Sequence, residues 1–178
     1  MRAREASGLE GRVWAALAEV PDPEIPAVSV VDLGIVGSVE AAPERIRVEL
    51  LPTFVGCPAI DVIRRSVAER LAGMAGRVEV EPTFAEPWTS DRITPAGRRK
   101  LRESGFAPPG PRPVDDRPLF ATIAVRPPLA GETPAAGVSC PFCGSLDTAL
   151  ENPFGPTLCR AIFWCNACRQ PFEQFKAV

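Results

Sequence analysis

Two pairs of cysteines near the end of the chain constrain its fold more than any other feature. Cys140 and Cys143 form one Cys-x-x-Cys pair, Cys165 and Cys168 form the second, and 21 residues separate the two pairs. Each pair bends the backbone so that two sulfurs point to one place, and two such turns supply the four thiolates that structural zinc prefers. A segment this short buries too little apolar surface to fold alone, so metal would supply much of its stability. We therefore predict a zinc ribbon over residues 140–178, with a structural zinc ion.

The start of the chain bears on whether these thiols bind metal or form disulfides. No apolar segment follows the arginines of MRAREASGLEGRVW, and no stretch approaches the about 18 apolar residues that span a bilayer. We therefore expect a cytoplasmic chain without a membrane partner, where reduced thiols favour metal over two disulfides. Cys159 has two interpretations, a small buried strand residue or an extra ligand that would permit iron–sulfur binding.

The absence of certain residue types excludes several functions. The chain contains no histidine and no tyrosine, so imidazole-based catalytic triads and mixed Cys/His metal sites are excluded. Its formal net charge of −2 does not favour nucleic acid, and the basic run GRRKLR at 97–102 is typical of a solvated helix face. No phosphate-binding glycine loop or nucleophile–base pair stands out. We therefore expect neither a nucleic-acid binder nor an enzyme that acts alone.

Residues 1–106 are predicted to form a small α+β domain. Apolar residues recur at helical spacing in 9–20, and Ile46, Val48 and Leu50 alternate with charged residues as in a half-buried strand. The order of elements is helix, hairpin, helix, strand, helix. The hairpin joins VVDLGIVGSVE to RIRVELL, Pro58 is the expected first position of the second helix, RVEVEP is the third strand, and Thr94 and Pro95 begin the third helix.

Residues 107–139 differ in composition from both flanking regions. They contain eight prolines, in runs such as APPGPRP, which favours an extended, semi-rigid chain over a packed core. The stretch LFATIAV at 119–125 interrupts this pattern and could form a strand. We predict a linker between the α+β domain and the ribbon.

Cys57 lies between Gly56 and Pro58, where the chain leaves a strand and is predicted to enter a helix. The N–H groups and the positive dipole at a helix start favour thiolate over thiol, and a glycine lets another group approach the backbone. An inert buried cysteine is an equally good interpretation. Asp22 and Glu24 lie on a proline-bracketed turn, where they could bind metal, form an acidic contact surface or cap a loop.

The motifs DPEIP, VVDLGIV and PTFVGCP follow in this order and resemble the domain family linked to iron–sulfur cluster assembly, which includes SufT-like proteins. The matching positions are Asp22, Pro23, Glu24, Asp32, Leu33, Gly34, Thr53, Gly56, Cys57 and Pro58. PWTSDRITPAGRRKLRESGFAPP, CPFCGS and CRAIFWCNACRQPFEQFK resemble the PaaD family, the small subunits encoded with the multicomponent phenylacetyl-CoA epoxidase. The two resemblances together cover nearly the whole chain.

The resemblance implies an accessory subunit of phenylacetyl-CoA 1,2-epoxidase in phenylacetate catabolism, which assists iron–sulfur cluster or iron insertion into the oxygenase or reductase subunit. It implies that Cys57, together with Asp22, Glu24 and Thr53, serves cluster or iron transfer, and that no residue is catalytic. One thiolate cannot hold a transient cluster that needs about four ligands, so a homodimer or a hetero-complex is expected. The alternative is a structural or electron-transfer subunit of the epoxidase complex.

Overall fold

The computed structural model describes residues 8–54, 56–110 and 138–176, which fall into two compact units. The first unit ends at Ser104 and the second begins at Gly105. In chain order the elements are α1 (Leu9–Leu17), β1 (Val36–Ala41), β2 (Arg45–Leu50), α2 (Ile60–Leu71), β3 (Arg77–Pro82), a 3-10 turn (Ser90–Arg92), α3 (Pro95–Glu103), β4 (Phe106–Ala107), β5 (Thr148–Asn152), β6 (Arg160–Cys165) and β7 (Pro171–Phe175).

The first unit has the predicted α+β architecture. Its sheet has the strand order β1-β2-β3, in which β1 and β2 form an antiparallel hairpin and β3 lies parallel to β2. Parallel neighbours need a crossover connection, and α2 provides it between β2 and β3. The predicted order of helix, hairpin, helix, strand and helix is therefore confirmed.

The core of the first unit lies on one face of this sheet. Ile46, Val48 and Leu50 are fully buried, whereas Arg45 on the same strand is exposed. Helix α2 buries the stripe Ile63, Val67 and Leu71, and α1 buries Val13, Ala16 and Leu17. The two periods, 2 in the strand and about 3.6 in the helices, place these apolar side chains against each other. None of the described helices is long and apolar enough to cross a bilayer.

Two element boundaries differ from the sequence-based expectation. Helix α2 begins at Ile60 with Ala59 as its N-cap, so Pro58 lies before the helix and not at its first position. Residues 30–34 form turns, and β1 begins only at Val36. Gly34 has φ +66°, and a Cβ there would lie 2.5 Å from the carbonyl oxygen of Arg92. The turn at Gly34 therefore packs tightly against the segment that contains Arg92. This contact between distant parts of the chain holds residues 30–34 in turns, although their apolar sequence predicts a strand.

The second unit is a four-stranded sheet with the order β4-β7-β6-β5. Its small core contains Ala107, Cys140, Cys165 and Phe172. Strand β4 pairs parallel with β7, so Phe106 and Ala107 belong to the sheet of the second unit, whereas the predicted boundaries assign residue 106 to the first domain and residue 107 to the linker. Residues 111–137 of the predicted linker, which include the strand candidate at 119–125, lie outside the described residues.

Candidate functional site

The four predicted ribbon ligands come together at one point. The sulfurs of Cys140, Cys143, Cys165 and Cys168 all lie within 4.8 Å of one another. The Cys140–Cys168 and Cys143–Cys165 sulfur pairs are 3.7 and 3.6 Å apart. A tetrahedron with zinc–sulfur bonds of about 2.3 Å has sulfurs about 3.8 Å apart. The spacing therefore fits a four-thiolate zinc ion, and it fits a structural rather than an open catalytic site.

The two cysteine pairs share one backbone construction. The N–H of Cys140 donates to the carbonyl of Ser145, and the N–H of Cys165 donates to the carbonyl of Gln170 at the same spacing. The residue after each pair has a positive φ, which is +76° for Gly144 and 62° for Arg169. Arg169 thus occupies a conformation that favours glycine. Two equivalent turns are what aim four sulfurs at one centre.

The electrostatics of the sulfur group favour a cation. The backbone N–H of Cys168 lowers the pKa of Cys165 to about 7. Burial and the neighbouring thiols raise the pKa of Cys168 to about 12. The group therefore cannot ionise fully by itself, because each further thiolate would repel the first. Metal binding would displace these protons, so the metal affinity falls as the pH falls.

Cys159 does not join this group. Its side chain is buried just before β6, and its sulfur lies 3.2 Å from the hydroxyl oxygen of Thr157. The four sulfurs that come together do not include that of Cys159. This placement matches the interpretation of a small buried residue rather than that of an extra ligand.

Cys57 lies in a turn of the first unit, before α2. Its N–H donates to the carbonyl of Phe54 over 3.2 Å, and its carbonyl accepts from the N–H of Ile60 over 3.3 Å. The residue is half-buried rather than fully enclosed. The preceding Gly56 has φ +84°, and a Cβ there would have no atom within 4 Å. Cys57 is therefore a partly exposed residue that follows a glycine with free space around it.

The two carboxylates of the DPEIP turn have different surroundings. Asp22 is buried, and its Oδ1 accepts from the N–H groups of Glu24 and Ile25, both over 2.9 Å. It therefore closes its own turn, as a loop cap does. Glu24 is half-buried in the same turn, and Thr53 is buried in the loop three residues after β2. Three of the residues proposed for transfer thus lie in the loops of one unit with different exposures.

Cys57, Asp22 and Glu24 do not form a metal-binding group in the described part of the chain. Among the described residues, the four ribbon cysteines are the group in which three or more candidate ligands lie close together. The described residues therefore offer one candidate metal site, in the second unit, and a separate half-buried thiol in the first. Whatever Cys57 binds would need ligands from elsewhere, since a single thiolate does not complete a coordination shell.

Sequence reasoning missed the loop at residues 32–34, which the later part of the first unit holds in place. The carbonyl of Asp32 accepts from Thr94 N–H over 2.9 Å, and that of Leu33 accepts from the indole N–H of Trp88 over 3.0 Å. The carbonyl of Gly34 accepts from Nε of Arg92 over 3.2 Å. Trp88 itself is buried. These pairings span more than fifty residues, so no local pattern indicated them.

The Asp32 side chain also has hydrogen-bond partners within the first unit. Its Oδ2 accepts from Nζ of Lys100 over 2.6 Å, and from the N–H and the hydroxyl of Ser29 over 3.0 and 2.9 Å. Burial alone would raise the pKa of Asp32, but the bonds from Lys100 and Ser29 outweigh burial and lower it. Asp32 is therefore an anionic loop cap with its own cation, rather than an open ligand.

Comparison with known families agrees with this division into two units. Residues 10–81 match the family described as iron–sulfur cluster assembly protein, and residues 124–176 match the PaaD zinc beta ribbon domain. The first match covers α1 to β3, and the second contains all four sulfurs of the ribbon group. The fold and the site thus define a protein that joins an iron–sulfur assembly domain to a zinc ribbon domain.

One relative extends this similarity over both units. The chain is 35% identical over 167 residues to an Escherichia coli (strain K12) protein that is provisionally named as one of the subunits of 1,2-phenylacetyl-CoA epoxidase. The match covers 93% of this chain and 92% of the relative. The chain therefore belongs to the PaaD family of phenylacetyl-CoA epoxidase subunits.

Solved structures similar to this chain cover little more than half of it. A domain of unknown function, DUF59, from Bacillus anthracis is 28% identical, with a TM-score of 0.49 over 52% of this chain and 91% of its own. A conserved hypothetical protein from Thermotoga maritima is 30% identical, with a TM-score of 0.44 over 56% of this chain and 98% of its own.

Proposed function

We propose that this protein is a maturation factor of the phenylacetyl-CoA epoxidase system, which helps to insert an iron–sulfur cluster or iron into the oxygenase or reductase subunit. The observation that carries the proposal is the half-buried Cys57, which follows Gly56 within the domain that matches the iron–sulfur assembly family. A donor must release its cargo, and one accessible thiolate binds iron less permanently than a closed cage.

The two metal sites have different proposed tasks. The ribbon cysteines hold a structural zinc ion, because four thiolates at tetrahedral spacing leave no position for a substrate. Cys57 binds the cargo, and Asp22 shapes the preceding loop through its bonds to the backbone of residues 24 and 25. Glu24 is the more exposed carboxylate of that turn and can contact the cargo or the receiving subunit. Further cluster ligands come from a second copy, a partner subunit or a small thiol.

The substitution Cys57→Ser tests this function. Serine keeps the size of the side chain but binds iron weakly, so cells carrying only this variant should lose epoxidase activity. The purified variant, given ferrous and ferric iron with sulfide and a small thiol under anaerobic conditions, should show no cluster absorbance, while its zinc content and circular dichroism match the wild type. The matched control is Cys159→Ser, which removes a thiol that lies outside the ribbon group. Normal epoxidase activity with Cys57→Ser would refute the proposal.

A structural or electron-transfer subunit is the second candidate, and the name of the Escherichia coli relative, an epoxidase subunit, favours it. Such a component stays with the complex during turnover, whereas a maturation factor is dispensable after metal insertion. We would omit this protein from a mixture of epoxidase subunits that already carry their metals. Lost turnover that the Cys57→Ser protein restores would favour the second candidate.

A further inference from the structure

Strand β5 forms an open edge of the ribbon sheet. In the order β4-β7-β6-β5, it has β6 on one side and no neighbour among the described strands on the other. An unpaired strand edge is a template for another strand, and proteins usually protect such edges with charges or proline. Strand β5 carries one charge, Glu151, and its register on β6 shifts between Leu150 and Asn152, but its centre is Leu150, whose side chain is 53% exposed.

The backbone of Leu150 faces the open edge. The carbonyl of Asp147 accepts from the N–H of Asn166 in the segment after β6, whereas the N–H of Thr148 turns back to the carbonyl of Leu146. Successive residues of a strand present their backbone groups to opposite sides. Leu150, two residues after Thr148, therefore points its N–H and C=O away from β6.

The apolar core of the ribbon continues to this edge. Leu150 is the register partner of Phe163 on β6, which in turn is the register partner of Phe172 on β7. The two phenylalanine rings stack with their centroids 5.7 Å apart. Phe172 is buried, Phe163 is half-buried and Leu150 is exposed. The last apolar side chain of this row, at the edge of the sheet, is therefore left uncovered.

We propose that β5 pairs antiparallel with β5 of a second copy of this chain, around a two-fold axis at Leu150. The two Leu150 residues would exchange both backbone hydrogen bonds, and each side chain would cover the end of the other apolar row. The pairing brings no like charges together, because Glu151 would lie opposite Ala149 and the two Glu151 carboxylates would stay apart. The register shift between Leu150 and Asn152 limits regular pairing to the residues around Leu150. A strand whose own sequence meets these conditions suits an isologous contact between two copies.

The flanking residues extend the same match. Leu146 and Phe154 are 64% and 63% exposed and lie four residues before and after Leu150. The two-fold axis would bring Leu146 of one copy to the same end of the interface as Phe154 of the other. The interface lies wholly in the ribbon, so the inference does not depend on a role for Cys57.

A charge exchange at Leu150 tests the proposal on the full, zinc-loaded chain under reducing conditions. Sedimentation velocity from about 1 to about 100 µM should show wild-type particles of twice the 19.1 kDa chain mass at the upper end. Leu150→Lys and Leu150→Glu should each weaken dimerisation at least about tenfold, because like charges would face each other. An equal mixture of the two variants should dimerise again, which a merely misfolded variant cannot do.

The control is Phe84→Lys, which changes a 61% exposed side chain of the first unit and should leave dimerisation unchanged. A wild-type chain that stays at its monomer mass, or a mixture that does not dimerise, would overturn the proposal. The segment LFATIAV at 119–125 is the other candidate occupant of this edge. If dimers appear only after this segment is replaced by Gly-Ser repeats, the edge belongs to the chain itself and the proposal is wrong.

Discussion

Gly97 shows how one residue fixes the loop at residues 32–34. It lies in the first turn of α3, where an added Cβ would be 2.4 Å from the carbonyl oxygen of Asp32. Thr94, the N-cap of this helix, accepts from the N–H of Gly97 over 2.9 Å and donates its own N–H to the same carbonyl. Only a residue without a side chain lets the helix begin this close to the loop.

Gly97→Ala should therefore destabilise the first unit. In an open helix this change would stabilise by about 1 kcal/mol, whereas here overpacking against backbone should cost about 1–3 kcal/mol. Urea unfolding followed by tryptophan fluorescence measures the difference. Gly110→Ala is the control, since a Cβ at Gly110 meets nothing within 4 Å. A stabilised Gly97→Ala chain would mean that the contact relaxes without cost.

At the scale of elements, the Asp32–Lys100 pair ties the 32–34 loop to α3. The Asp32 side chain is 11% exposed and that of Lys100 is 40% exposed, so solvent screens the pair only in part. The pKa of Asp32 in the folded chain lies below its usual value. The stability from this carboxylate is therefore present above about pH 4 and is lost as the pH falls through the folded value.

Asp32→Asn should lower the stability of the first unit at neutral pH by about 1–3 kcal/mol, because charge-assisted hydrogen bonds to Lys100 and Ser29 are lost. The difference from wild type should shrink as the pH falls below about 4 and through the lowered folded pKa of Asp32, where the native carboxyl also becomes neutral. Denaturant unfolding at neutral pH and along this acid range measures it. The control is Asp61→Asn, which makes the same change at a residue whose ion pair with Arg64 is exposed. It should change the stability by less than about 1 kcal/mol. A difference that does not depend on pH would contradict this assignment.

The elements that the sequence predicted are those governed by local patterns. The alternation in β2 and the Thr94–Pro95 start of α3 are properties of neighbouring residues, and both are confirmed. The spacing of the cysteine pairs likewise predicted the sulfur group. The turn at residues 30–34 and the pairing of Phe106 with β7 depend on contacts far along the chain, which no local period encodes.

At the scale of the whole molecule, the two units are stabilised by different means. The first buries a continuous apolar core of strands and helices, whereas the central cluster of the second consists of Ala107, Phe172 and two of the four candidate metal ligands, with few other buried residues around it. Loss of an apolar core residue weakens a fold in proportion to the buried surface, but loss of a metal removes the binding energy that folds a small ribbon. The two units should therefore respond separately when the metal site is broken.

Cys165→Ser should abolish zinc binding and unfold the ribbon, while the first unit stays folded. Cys165 is fully buried and its sulfur accepts from the N–H of Cys168, so its removal leaves three thiols around a lost centre. Hydrogen exchange should show lost protection in β5, β6 and β7 and wild-type protection in β1, β2 and β3. Cys159→Ser should keep both the zinc ion and the protection, because its sulfur contacts Thr157 and not the group. Exchange that rises equally in both units would mean that the ribbon metal also stabilises the α+β fold, and the proposed separation of a structural zinc from a cargo thiol would then fail.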